Sequence, residues 1–259
     1  MSRSPEVLLF DLFGTLVFFD DSRIATFEVG PRKIPMTIPD LPGLLEDFLP
    51  DVSLVEFFEE MRRVGKDILE RKRKEGVEVH TSVRFLETLR ALGCRAGLVE
   101  QAAARMAEIH MDSLARAVVC PPGRLELLEG LRGAHRLALL SNFDDGPTAR
   151  RVLAEAGLDH LFEVTVISAE EGIRKPSGEI FARACARLGA APSACLYVGD
   201  TFVEDIEGAT GAGLSALWVS RDAAVPPALG SITDVEELPA WLSRGKRSPV
   251  VSEPGGASP

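Results

Sequence analysis

A chain of 259 residues with 46% hydrophobic and 26% charged side chains reads as an ordinary globular protein, long enough for one large α/β domain or a core with an insertion. Its net charge of −10 argues against a nucleic-acid surface, which needs a basic face. An anionic small substrate stays compatible, because a bound cation reverses the field inside a pocket.

Cys94, Cys120, Cys185 and Cys195 form no C-x-x-C pair and read as free thiols in a reducing compartment. No secretory signal and no apolar run of the ~18 residues that span a bilayer is recognised. A cytoplasmic protein, monomeric or homodimeric, without membrane or nucleic-acid partners, is therefore expected.

Val7–Phe10 is a continuous apolar run, the pattern of a strand buried on both faces, and it ends in Asp11-Leu12-Phe13-Gly14-Thr15. A Pro-rich, irregular stretch follows around Pro31, Pro35, Pro39 and Pro42, and then helices over 54–75, 82–92 and 98–118. In the first of these, Val55, Phe58, Met61, Ile68 and Leu69 recur at helical spacing, as the core face of an amphipathic helix does. Strands are predicted at 136–140, 164–167, 195–198 and 216–219, alternating with helices at 148–156, 178–188 and 204–212. That alternation predicts an α/β fold with a doubly wound parallel sheet. The core is expected over 1–19 and 120–242, and an α-helical cap domain over 20–119 with hinges near 18–21 and 120–123. A flexible C-terminal tail is expected over 243–259.

Four polar clusters fall at or beyond the carboxyl ends of predicted strands: Asp11 with Gly14 and Thr15, Ser141-Asn142, Lys175-Pro176-Ser177, and Gly199-Asp200-Thr201 with Asp205 beyond. One carboxylate at a strand end can simply cap a turn; four clusters at one sheet edge make a site. Asp11 is suited to attack phosphorus and form an acyl phosphate, with Lys175 neutralising charge and holding the nucleophile ionised. The Ser141 hydroxyl, the Asn142 amide and the backbone N–H groups of the turn through Gly14 and Thr15 are candidates for the non-bridging oxygens. Asp11 and Asp200 offer hard oxygen ligands to Mg²⁺, with Asp205 in support.

These four motifs resemble the haloacid dehalogenase-like (HAD) hydrolase superfamily over about residues 6–222. In its D-x-D-G-T motif, the hydroxyl motif, the lysine motif and the acidic motif, the matching residues here are Asp11 to Thr15, Ser141, Lys175, and Asp200 with Asp205. The resemblance implies a Rossmann-like core, a helical cap between the first two motifs, an aspartyl intermediate, and Mg²⁺ held by Asp11, Asp200 and the backbone carbonyl of Phe13. Phe13 stands where the family's phosphatases carry the aspartate that acts as general acid and base, a role worth roughly 10²–10⁴-fold. The expected function is a Mg-dependent phosphatase acting on a small phosphorylated metabolite. The alternatives are a metal-free 2-haloacid dehalogenase, to which Phe13 and Ser141-Asn142 are similar but Asp200 is not; a phosphonate hydrolase using a cap lysine; and a catalytically weakened binding or regulatory module.

Several residues stay open at this level. His80 reads as a solvated loop histidine or a substitute acid, and Arg84 as a ligand for an anion or half of a helix-surface ion pair. Phe18, Phe19 and Phe27 line the cleft or fill the hinge. Lys33, Lys66, Lys72 and Lys74 read as surface charges.

Overall fold

The computed structural model describes residues 4–29, 32–220 and 230–244. Pro31 and the expected tail from 245 onward lie outside them. In chain order the elements are β1 (Val7–Phe10), β2 (Phe18–Phe19), β3 (Ala25–Val29), β4 (Arg32–Met36), α1 (Leu41–Phe48), α2 (Leu54–Glu75), α3 (Thr81–Ala91), α4 (Val99–Ala117) and β5 (Val118–Val119). There follow α5 (Arg124–Arg132), β6 (Arg136–Ser141), α6 (Gly146–Glu155), β7 (Val164–Ile167), α7 (Ser168–Glu171), α8 (Gly178–Leu188) and β8 (Cys195–Gly199). A π-helical turn (Phe202–Glu207) leads into α9 (Gly208–Gly211), β9 (Ser215–Val219), β10 (Ser231–Ile232) and α10 (Leu238–Ser243).

Six strands form one parallel sheet in the order β10-β9-β8-β1-β6-β7, so the fold is the expected Rossmann-like α/β type. Period-two side-chain alternation explains why its strands read as unbroken apolar runs. Leu8, Phe10, Leu137, Leu139, Leu196 and Val198 face one layer, with Leu128 of α5 and Val152 of α6. Val7, Leu9, Ala138, Leu140, Cys195 and Tyr197 face the other, against Ile180, Phe181 and Ala184 of α8. β1 lies between β6 and β8, where the chain winds off in opposite directions. Such a point opens a crevice beyond the carboxyl ends of the strands.

Residues 20–117 form an insert after β1 with an apolar cluster of its own, built on Phe57, Phe85, Leu89 and Met106. Its long helix α2 begins with a capping box between Ser53 and Glu56 and stops at Gly76, at φ +68°. The antiparallel pair β2/β5 joins insert to core through Phe18↔Val119 and Phe19↔Val118. A third link lies between them in sequence. Glu78 N–H donates to Gly172 O (3.0 Å), Arg174 N–H to Gly76 O (3.1 Å) and Thr81 N–H to Asp144 O (3.1 Å).

The insert is not purely helical. The stretch expected to be irregular contains the β3/β4 hairpin and α1. Proline broke the expected pattern without breaking the structure: Pro35 sits in a two-stranded ribbon, and Pro42 in the first turn of α1, where an N–H is not needed. The helix expected over 204–212 starts instead as the π turn, in which Asp205 N–H reaches Thr201 O (2.8 Å). Among the described residues no helix is long and apolar enough to cross a membrane.

Candidate functional site

Three neighbouring strands deliver the site. Asp11 follows β1, with its N–H bonded to Val198 O (2.9 Å), Ser141 ends β6, and Asp200 follows β8. Lys175 arrives from the segment after α7 and is 2% exposed. All three of its ammonium protons have acceptors: Asp11 Oδ1 (2.8 Å), Asp205 Oδ1 (2.6 Å) and Tyr197 Oη (2.6 Å). The Tyr197 hydroxyl then donates to Leu140 O at 2.8 Å. Asp205 is fixed from its other side by Thr201 N–H to Oδ2 (2.8 Å). It is thereby held between Lys175 and the Thr201 N–H.

Charge does not balance among these groups. Asp11, Asp200 and Asp205 each place an oxygen within 4.8 Å of the others, and among the described residues Lys175 alone supplies a cation, bridging Asp11 and Asp205 but not Asp200. Burial pushes the Asp11 carboxyl up to about 7; Lys175 opposes that rise, while Asp205 and Asp200 reinforce it. Burial, with Asp205 next, also raises Asp200, whose partners are Thr15 Oγ1 (3.4 Å) and its own backbone. Burial works against the charge of Lys175, yet Asp11 and Asp205 outweigh it and hold the ammonium protonated. The donor set fits a divalent cation: three crowded carboxylates, a second Asp11 oxygen with no protein donor, and a Phe13 carbonyl outside the turn's hydrogen bonds.

At the end of β6 the Ser141 hydroxyl is buried and has no hydrogen-bond partner among the described residues, which marks a place for an acceptor-rich ligand. Gly14 sits at φ +88°, and a Cβ there would collide with the Asp200 carboxylate, so the turn needs glycine twice over.

A sequence profile of haloacid dehalogenase-like hydrolases matches residues 5–213. The chain belongs to this family. It is 38% identical over 216 residues to the glyceraldehyde 3-phosphate phosphatase of Pyrococcus furiosus, an alignment covering 83% of this chain and 81% of that one. To the N-acylneuraminate-9-phosphatase of Rattus norvegicus it is 35% identical over 122 residues, or 45% and 49% of the two chains; the chain spans about half the length of such curated relatives. The solved 2-haloacid dehalogenase of Pseudomonas syringae shares the fold, with a TM-score of 0.65 at 24% identity over 93% of this chain and 99% of that one.

Within this HAD-like hydrolase, several residues stand differently from their expected roles. The Asn142 amide is already occupied. Its Nδ2 donates to Lys175 O (3.0 Å) and Glu204 Oε2 (2.9 Å), and its Oδ1 accepts from Lys175 N–H (2.9 Å). Asn142 thus holds the lysine segment in place instead of facing a substrate oxygen. The Gly14 N–H is bonded to Val17 O (2.8 Å), while the N–H groups of Leu12, Phe13 and Thr15 have no backbone partner among the described residues. Thr15 is fully buried and turns its hydroxyl to Asp200.

Phe13 stacks on Phe143 at 4.5 Å and on Phe19 at 5.1 Å, forming an apolar aromatic triad. Phe27 packs in the insert cluster instead. His80 caps α3 and pairs through Nε2 with Asp145 Oδ2 at 3.0 Å, on the seam between insert and core. Lys72 is not a surface charge. It is 11% exposed and bound to Glu78 (2.6 Å) and Asp144 (3.3 Å). Sequence reading missed Tyr197, although it is the single tyrosine of the chain and lies in an otherwise apolar strand, where its hydroxyl must find a partner.

Proposed function

We propose that this chain is a phosphatase of small phosphorylated metabolites, with Asp11 as nucleophile and residues 20–119 as a cap over the site. The observation that carries the reading is the buried Lys175 ammonium shared by Asp11, Asp205 and Tyr197 beside an Asp200 with no ion-pair partner and an orphaned Ser141 hydroxyl among the described residues. Names of relatives support the substrate class: they are phosphatases of a sugar phosphate and a triose phosphate. Asp11, Asp200 and the Phe13 carbonyl would hold Mg²⁺, which offsets the negative charge that otherwise keeps a carboxylate from a phosphate ester.

Lys175 fixes the Asp11 carboxylate by one oxygen, so the other is free to bond to phosphorus as the ester P–O bond breaks. Ser141 O–H and the free N–H groups of Leu12, Phe13 and Thr15 are the donors available to the non-bridging oxygens. Water then cleaves the acyl phosphate and restores Asp11. Because Phe13 moves no proton, the leaving oxygen departs unaided by that position, which favours substrates with acidic leaving groups.

The test compares 4-nitrophenyl phosphate with 2-chloropropionate, each with MgCl₂ and with EDTA. Phosphate release that EDTA abolishes is expected; chloride release indifferent to EDTA would overturn the reading in favour of a dehalogenase. Phe13→Asp is expected to raise kcat for an alkyl phosphate by about 10²-fold and to change 4-nitrophenyl phosphate little, since general acid catalysis matters most for poor leaving groups. Equal changes for both esters would remove the missing-acid account.

Metal and proton are linked at Asp11. Its folded-state pKa of about 7 exceeds the ordinary 3.8, so the folded protein binds the extra proton between those values. Metal-free stability should therefore fall as pH rises through that window and level off above it. Magnesium favours the ionised carboxylate, and its gain in Tm should be larger near about pH 8 than near about pH 5. Thermal melts at both pH values with and without MgCl₂ check this; a gain independent of pH excludes Asp11 as a ligand.

A further inference from the structure

A second polar site lies inside the insert, lined by none of the residues of the carboxylate cluster. Arg84 of α3 and His110 of α4 meet Thr37, just after β4, around a cavity of about 220 Å³. Leu41, Phe57 and Met61 supply apolar walls, and no Asp or Glu lines it. Arg84 is not in the helix-surface ion pair that its sequence position allowed. Among the described Lys and Arg residues that are buried or half-buried, it alone has no carboxylate within ion-pair distance. Asp144 acts on it from further away and is itself held by Lys72 (3.3 Å).

The hydrogen-bond directions in this cluster resolve from the donors. Arg84 Nη2 is always a donor, so His110 Nε2, at 3.0 Å, must be the acceptor. The imidazole proton then sits on Nδ1 and is donated to Thr37 Oγ1. Burial, and next the Arg84 charge, push the His110 pKa down to about 3, in keeping with a neutral ring. The relay leaves the Thr37 O–H proton without an acceptor. Arg84 also keeps Nη1 without a hydrogen bond among the described residues, while Nε is buried and unpartnered. Among the described residues every unsatisfied side-chain polar group lining this cavity is therefore a donor, one carries a full charge, and the remaining walls are apolar.

We propose that the cavity binds a carboxylate on a short apolar body, its two oxygens taken by Arg84 Nη1 and the Thr37 hydroxyl. A carboxylate is acceptor-only and supplies the missing counter-charge for a guanidinium removed from water. A neutral amide of the same shape brings donors where acceptors are needed and no charge. The Arg84 guanidinium lies 5.2 Å from the centroid of Phe85, and the Phe85 and His110 rings meet edge to face at 5.5 Å, so the cation is held before any ligand arrives. This assignment stands independently of the phosphatase reading.

Isothermal calorimetry of the full chain with butyrate and with butyramide tests it. Butyrate should bind saturably and butyramide should not. Arg84→Gln should weaken butyrate by about tenfold or more, the scale of a lost charge-assisted hydrogen bond, and Thr37→Val several-fold. Thr37→Val keeps the side-chain shape, so it carries the test if Arg84→Gln fails to fold. Equal binding of acid and amide, no saturable butyrate binding, or unchanged affinity in the folded variants would overturn the assignment. Inhibition of aryl phosphate hydrolysis separates the two sources of such a carboxylate. Competitive inhibition by butyrate places the carboxylate on the substrate, and noncompetitive inhibition places it on a separate ligand. The calorimetry stands even if no ester is hydrolysed.

Discussion

Asp11→Asn should abolish release of 4-nitrophenol from its phosphate ester, with kcat falling by about 10⁴-fold or more, as expected when a covalent nucleophile is removed. The amide keeps the volume of the carboxylate but cannot bond to phosphorus as a nucleophile of comparable strength. Asparagine also removes one of the three crowded carboxylates around Lys175, so folding should not suffer in proportion. A rapid acid quench of the wild-type protein during turnover should trap phosphate on the chain, and the variant should trap none. Residual turnover above about one per cent, without contaminating phosphatase, would end the case for a covalent step through Asp11.

Lys175→Met should give the largest loss of stability. The ammonium is 2% exposed and satisfies Asp11, Asp205 and Tyr197 together. Removing it strands two buried carboxylates, and breaking a buried pair by deleting one partner costs about 3–5 kcal/mol. Urea unfolding of the metal-free protein measures this. Adding Asp205→Asn should restore part of the stability, because one stranded charge disappears, but none of the activity, because Asp11 then lacks its cation. A loss below about 1 kcal/mol in the single variant would mean that Asp11 is held neutral and the lysine matters little to the fold.

Both predictions concern residues that are legible in the amino-acid chain itself. Asp11, Ser141, Lys175 and Asp200 each follow an apolar run or open a helix, and the period of those runs announces which end of the sheet they share. Asn142 was legible as a site residue but not in its role. Its amide bonds both polar atoms of the Lys175 backbone, 33 positions away, and nothing local to either segment encodes that pairing. Tyr197 fell inside a correctly predicted strand, yet its significance came from Lys175 approaching across a layer. The β3/β4 hairpin escaped because proline, the strongest local break signal, is tolerated in a ribbon that leaves an N–H unused.

Arg84 shows the same division most sharply. A basic residue on a helix carries no mark of whether an acid lies within reach, since the answer depends on α4, on the residue after β4 and on a core loop. By itself the sequence determined the parallel sheet and proposed Asp11 as the nucleophile, because burial period and strand-end chemistry are properties of short segments. The tertiary structure alone decided that Phe13 completes an aromatic stack, that one lysine serves two aspartates, and that Arg84 has no counter-ion among the described residues. Those are pairings between distant segments, and electrostatic balance exists only once the chain has brought them together.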